Sequence, residues 1–147
     1  MASVGIGVVG LGRMGQVYAY HTARQIEGAT LVAVADPDRE ALDRFAAQVP
    51  GVEVFSHYQD LCAHPQVQGV IVASPTSTHR DVVIEAARAG KAIFCEKPLA
   101  LALRATDEII EAVQRAGVPC KWASCAALTG GMRRPGARLT RAQSASR

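Results

Sequence analysis

The sequence predicts an α/β fold, a doubly wound parallel sheet with helices on both faces. Three observations lead there. Apolar runs of strand length alternate with amphipathic stretches of helix length as far as about Val118. A Gly-x-Gly-x-x-Gly sits between the first run and the first helix, and an aspartate closes the second run. Short, nearly continuous apolar strands mark a sheet that helices bury on both faces. Right-handed crossovers then wind such a sheet in both directions.

Residues 4–9 (VGIGVV) form a buried strand that ends in glycine, and residues 13–26 a helix with Val17, Tyr20 and Arg24 along one side. Residues 30–35 (TLVAVA) are the second strand, and residues 38–49 a helix that clusters Ala41, Leu42, Phe45 and Ala46. A third strand at 52–55 leads into a short helical turn at 58–63, and the fourth strand is GVIVA at 69–73. Residues 77–89 are helical with Val82, Val83, Ala86 and Ala87 inward, 91–95 are the fifth strand, and 103–116 a helix carrying Ile109, Ile110 and Val113. The alternation then stops, so the domain is placed at 1–119. That leaves a sheet without a sixth strand, with an open edge and poor solubility expected.

A chain of 147 residues with 49% hydrophobic content suffices for one packed domain. No apolar run approaches the ~18–20 residues that a membrane span needs. The start, Met1-Ala2-Ser3, lacks the basic segment of a signal peptide, and a cytoplasmic protein is expected. Cys62, Cys95, Cys120 and Cys125 share no CxxC and no ligand spacing with the four histidines. They read as free thiols, and no metal is expected. The net charge of +3 is uneven: residues 1–116 carry −3 and residues 117–147 carry +6. The basic excess belongs to an Arg/Ala/Ser/Gly-rich terminal stretch and not to a face of a folded module, so nucleic acid is not an expected partner.

Gly10, Gly12 and Gly15 carry distinct tasks in a glycine-rich turn of the Rossmann type. The first makes the tight turn, the second lets backbone approach a pyrophosphate, and the third lets helix and strand pack closely. Unpaired N–H groups at the helix start then face the phosphates. Asp36 follows Gly15 by 21 residues, close to the spacing of about 20 expected for the acid that accepts the adenosine ribose hydroxyls. A carboxylate there repels the 2′-phosphate of NADP, so NAD is the expected cofactor and NADP the less favoured one. Arg39 reads as a solvated residue of the next helix.

The C-terminal strand edge of such a sheet faces the ligand crevice. Ser74 and Thr76 after the fourth strand either contact the nicotinamide ribose or belong to a Pro75 turn whose Ser77 or Thr78 caps the next helix. His79, taken alone, reads as a surface histidine. Glu96-Lys97-Pro98 follows the fifth strand. A lysine there can polarise a carbonyl or bind a substrate hydroxyl, Glu96 can orient Lys97 or the cofactor ribose, and Pro98 admits a cis peptide bond.

Together VGLGRMG at 9–15, VAVADPD at 32–38, ASPTSTH at 73–79 and AARAGKAIFCEKPLAL at 86–101 resemble the Gfo/Idh/MocA oxidoreductases, and most of all their bacterial inositol 2-dehydrogenases. The resemblance covers residues 4–119. It implies that Gly10, Gly12, Arg13, Met14 and Gly15 embrace the pyrophosphate and that Asp36 takes the ribose. It further implies that Ser74, Thr76 and His79 line the nicotinamide side, with Glu96 beside a catalytic Lys97. The implied activity is hydride transfer between a polyol or sugar secondary alcohol and NAD. Family members carry a second domain that completes the substrate pocket and makes the oligomer. The alternative from another class is a nucleotide-binding module without chemistry of its own.

From Cys120 the sequence departs from that family. Reading the coding sequence one base earlier, Trp122 and Ala123 force a glycine codon, and their neighbours permit QVGFMRRFD, the family's continuation. Residues 120–147 are therefore expected to be a disordered tail produced by a shifted frame, and the chain on its own to be catalytically incomplete.

Overall fold

The structure, a computed structural model, describes residues 3–122. Six strands, β1 (Val4–Val9), β2 (Ala29–Ala35), β3 (Glu53–Phe55), β4 (Gly69–Val72), β5 (Ala92–Cys95) and β6 (Cys120–Trp122), form one sheet in the order β3-β2-β1-β4-β5-β6. All neighbours pair in parallel. The helices are α1 (Arg13–Arg24), α2 (Arg39–Gln48), α3 (Tyr58–Cys62), α4 (His79–Arg88) and α5 (Leu103–Ala116), with a 3-10 turn at Thr76–Thr78 before α4. The order reverses between β1 and β4, the place where open α/β sheets take their ligands.

Successive strand residues face opposite sides, and the core divides accordingly. Val8, Leu31 and Val34 pack with Ala19, Leu42 and Phe45 under α1 and α2, while Val9, Ala33, Val70 and Val72 pack with Leu61, Val83, Ala86 and Ile109 under α3, α4 and α5. Asp38 starts α2 by accepting the Glu40 and Ala41 N–H groups at 3.0 and 3.3 Å, the usual service of an N-cap aspartate. At the other end of the domain Gly117, with φ +70°, closes α5 in a left-handed turn.

Two expectations need correction. The inward face of α1 is Gly15, Ala19 and Thr22, while Val17 is 40% exposed. Small residues win because the helix lies close on the strand ends; a Cβ on Gly15 would stand 1.8 Å from the Gly10 carbonyl oxygen. The sheet also has its sixth strand. After Gly117 and Pro119, residues 120–122 pair with β5 in the register Ile93↔Cys120, Phe94↔Lys121 and Cys95↔Trp122. The bond from Ile93 N–H to the Pro119 carbonyl, 2.8 Å, begins that alignment. Ladder bonds are made by backbone, so the change of side-chain character at 120 does not prevent pairing, which satisfies the N–H and C=O groups of β5 that point away from β4. Of the tail expected at 120–147, residues 123–147 lie outside the described residues.

Burial pushes the thiols of Cys62, Cys95 and Cys120 up to about 12. A raised thiol pKa means that the unfolded chain deprotonates first. The stability these groups contribute is therefore intact below about pH 9 and drains away as pH rises towards 12. These three thiols should react with iodoacetamide far more slowly in the native protein at pH 8 than in urea. Peptide mapping checks this, and equal native and denatured rates would refute their burial.

Candidate functional site

Strand register brings the candidate residues to one edge. Phe55, Ala35, Val9, Val72, Cys95 and Trp122 pair in one continuous row across the sheet. The residues just past that row are Asp36, Gly10, the Ala73–Ser74 turn and Glu96–Lys97. Asp36 and Glu96 are three strand spacings apart, roughly 14 Å at ~4.8 Å per spacing, with the glycine turn between them.

The three glycines are not interchangeable. Gly10 has φ +97°, and a Cβ there would lie 2.6 Å from the Ser74 backbone nitrogen, so this position joins the β1 and β4 loops. Gly15 seats α1 against Gly10. At Gly12 a Cβ would meet no atom within 4 Å, so the space in front of it belongs to no described part of the protein. Gly12 is also the N-cap of α1, with no capping side chain and no acid in the first turn. The N–H groups that begin this helix lack intrahelical partners, and the dipole there favours an anion. Arg13 and Met14, the latter 44% exposed, flank the same turn.

Asp36 is tied into the glycine turn itself. Its Oδ2 accepts the Leu11 N–H at 2.7 Å and its Oδ1 the Asp38 N–H at 2.8 Å. Each oxygen keeps acceptor capacity for a further donor. Arg39 pairs with Asp43 at 3.3 Å on the exposed side of α2.

Past β4, the Thr78 hydroxyl donates to Ser74 Oγ at 2.6 Å and lies equally near the Pro75 carbonyl. Neither Ser77 nor Thr78 caps α4 through its side chain. Thr76 is half-buried at the start of the 3-10 turn. His79 is not a surface residue. It is 1% exposed, with Nε2 2.8 Å from the Ser74 carbonyl and Nδ1 3.0 Å from that of Pro98. Its ring bridges the two loops, and its burial corrects the expectation of a surface histidine.

Glu96 continues the ladder through its N–H to the Val72 carbonyl at 2.9 Å, and Lys97 beyond it is exposed. The Lys97–Pro98 peptide is cis. The Glu96 carboxylate accepts a hydrogen bond from Tyr18 of α1, a residue that the sequence analysis did not single out. A concavity of about 460 Å³ lies elsewhere, between α4 and α5. Its Arg80 and Arg115 are already paired with Glu108 and Glu111, and it touches neither the glycine turn nor Lys97.

The sequence model of an oxidoreductase family with an NAD-binding Rossmann fold matches residues 4–123. The chain is 39% identical over 115 residues to scyllo-inositol 2-dehydrogenase (NAD(+)) of Bacillus subtilis, a match spanning 78% of this chain and 33% of that protein. It is 37% identical over 113 residues to myo-inositol 2-dehydrogenase of Thermotoga maritima, spanning 77% and 34%. Scyllo-inositol dehydrogenase from Lactobacillus casei, solved with bound NAD(H) and scyllo-inositol, superposes with a TM-score of 0.78 at 30% identity over 82% of this chain and 36% of that one. The chain thus spans about a third of the length of the relatives it matches. No helix among the described residues is long and apolar enough to cross a membrane.

Proposed function

This chain belongs to the Gfo/Idh/MocA family of oxidoreductases, and from that premise we propose that it holds NAD along the strand-end row and serves oxidation of an inositol-like polyol or sugar at a secondary alcohol. The carrying observation is the row itself: an anion-favouring glycine turn in the middle, a carboxylate on one side and a lysine on the other. Gly12 and the first N–H groups of α1 receive the pyrophosphate, with Gly10, Arg13, Met14 and Gly15 forming the turn. Asp36 accepts the adenosine ribose hydroxyls, and its charge selects NAD over NADP. NAD, when bound, supplies the nicotinamide carbon that takes the hydride. Ser74, Thr76 and Glu96 border that half of the site, and His79 fixes the loops behind it.

Lys97 is assigned the catalytic role. Its exposed amine at the crevice edge takes part in removing the hydroxyl proton as the carbon–hydrogen bond breaks. The substrate pocket and the oligomer contacts belong to the part of the relatives that this chain does not span, and a cytoplasmic location accords with three free cysteines among the described residues.

Isothermal calorimetry on the full chain tests the cofactor reading. One saturable NAD site is expected, with NADP weaker by about tenfold or more, the equivalent of about 1.4 kcal/mol. Absence of NAD binding would overturn the proposal. NADH formation with a panel of inositols and sugars then separates a catalytic chain from a nucleotide-binding module.

A further inference from the structure

We propose that Tyr18 is a positioning residue that holds the Glu96 carboxylate in place at the nicotinamide end of the site, an inference that rests on the cofactor reading above. Tyr18 lies three residues past Gly15, on the helix that begins at the pyrophosphate turn. Its ring meets Phe94 of β5 edge-on, with centroids 5.6 Å apart at 70°, and its hydroxyl donates to Glu96 Oε2. One side chain thus ties the helix that receives the phosphates to the strand end that presents Lys97, across 78 residues of sequence.

The chemistry requires such a tie. Glu96 is a half-buried carboxylate, and a carboxylate drawn from water needs donors. Among the described residues its side chain has the Tyr18 hydroxyl and no other hydrogen-bond donor, and it forms no ion pair with the adjacent Lys97. Oε2 is therefore occupied and Oε1 is free to accept from a ribose hydroxyl. Burial first, then the bond to Glu96 and its charge, push the Tyr18 phenol up to about 12. It therefore stays protonated, and remains a donor, throughout the neutral range. Without the hydroxyl, Glu96 is free to swing towards the Lys97 ammonium, which misplaces one group and engages the other.

Tyr18→Phe removes the hydroxyl and keeps the ring on Phe94. Calorimetry on the full chain should show NAD affinity falling about tenfold, in line with loss of a hydrogen bond to a charged group. ADP, which carries only the adenosine and phosphate half, should bind unchanged. In a Glu96→Gln background the same substitution should cost NAD binding little more, because the two side chains act as one unit. Equal losses for NAD and ADP would mean that Tyr18 merely seats α1, and no loss for either would mean that the bond is idle; each overturns the proposal alone. Failure of the unaltered chain to bind both ligands would overturn the cofactor reading and this proposal with it. Should Tyr18→Phe melt too low to assay, the titration of the Tyr18 phenol, followed by ultraviolet absorbance, should fall in Glu96→Gln while burial still holds it raised. An unmoved titration would refute the link.

Discussion

Gly15→Ala is expected to lower the melting temperature by about 10 °C or more, whereas Gly12→Ala lowers it by only a few degrees, the cost of alanine at an N-cap, and abolishes most NAD binding. A Cβ on Gly15 would stand 1.8 Å from the Gly10 carbonyl oxygen and 2.7 Å from its carbon. These are backbone atoms that cannot turn away, so α1 must lift from the sheet and open the core around Val8, Ala19 and Val34. Overpacking commonly costs about 1–3 kcal/mol, and a backbone clash belongs at or beyond the upper end. In a domain of this size that corresponds to a shift of about 10 °C.

Gly12 is the opposite case. Its φ of −71° and ψ of −166° suit any residue, and a Cβ there meets nothing within 4 Å. On the proposed cofactor site the methyl group would occupy the approach of the pyrophosphate, and a loss of about 100-fold in NAD affinity is expected, some 2.7 kcal/mol. Thermal melts by circular dichroism and calorimetry with NAD separate the two outcomes. A Gly12→Ala protein that binds NAD normally would show that the phosphates do not sit at this turn.

The contrast between these glycines also shows what the sequence makes legible. The turn could be read because its geometry admits so few residues: a φ of +97° at Gly10 and a helix pressed onto it at Gly15 demand glycine. The inward side of α1 could not be read by hydrophobicity. Gly15, Ala19 and Thr22 give almost no apolar signal, and the larger Val17 and Tyr20 outweigh them in any periodicity count. Closeness of packing decided that face, not apolar area.

His79 did leave a signal. With Val82, Val83, Ala86 and Ala87 it completes the i, i+3, i+4, i+7, i+8 stripe that forms the buried side of α4. Its position in that stripe marked it as interior, although its three carbonyl neighbours could come only from the folded chain. Tyr18 gave no such sign, because its partner is brought near by the sheet order alone. The sixth strand was obscured by composition. A backbone ladder accepts Cys120, Lys121 and Trp122 as readily as any extended residues, so a shift in side-chain character did not mark the end of the sheet.

Asp36→Asn is expected to weaken NAD binding by about 10–100-fold without creating a preference for NADP, the size of one or two hydrogen bonds to a charged group. The carboxylate has two duties that an amide cannot share. Its two oxygens accept the Leu11 and Asp38 N–H groups at 2.7 and 2.8 Å. In asparagine one of those atoms becomes an NH₂ group facing a backbone N–H, so one bond is lost and two donors are set against each other. If the lost bond is that to Leu11, the glycine turn loosens where the pyrophosphate is received. In the proposed site the remaining oxygen must also satisfy the ribose. NADP gains no partner for its extra phosphate, because Arg39 is paired with Asp43 on the exposed side of α2 and Asp38 keeps its own charge beside the site. Titrations with NAD, NADP and ADP read out each duty. A weakened ADP response accompanying the NAD loss places the defect in the adenosine half. Unchanged NAD affinity would show that Asp36 does not hold the ribose, and an unchanged ratio of NAD to NADP affinity would show that its charge does not select between them.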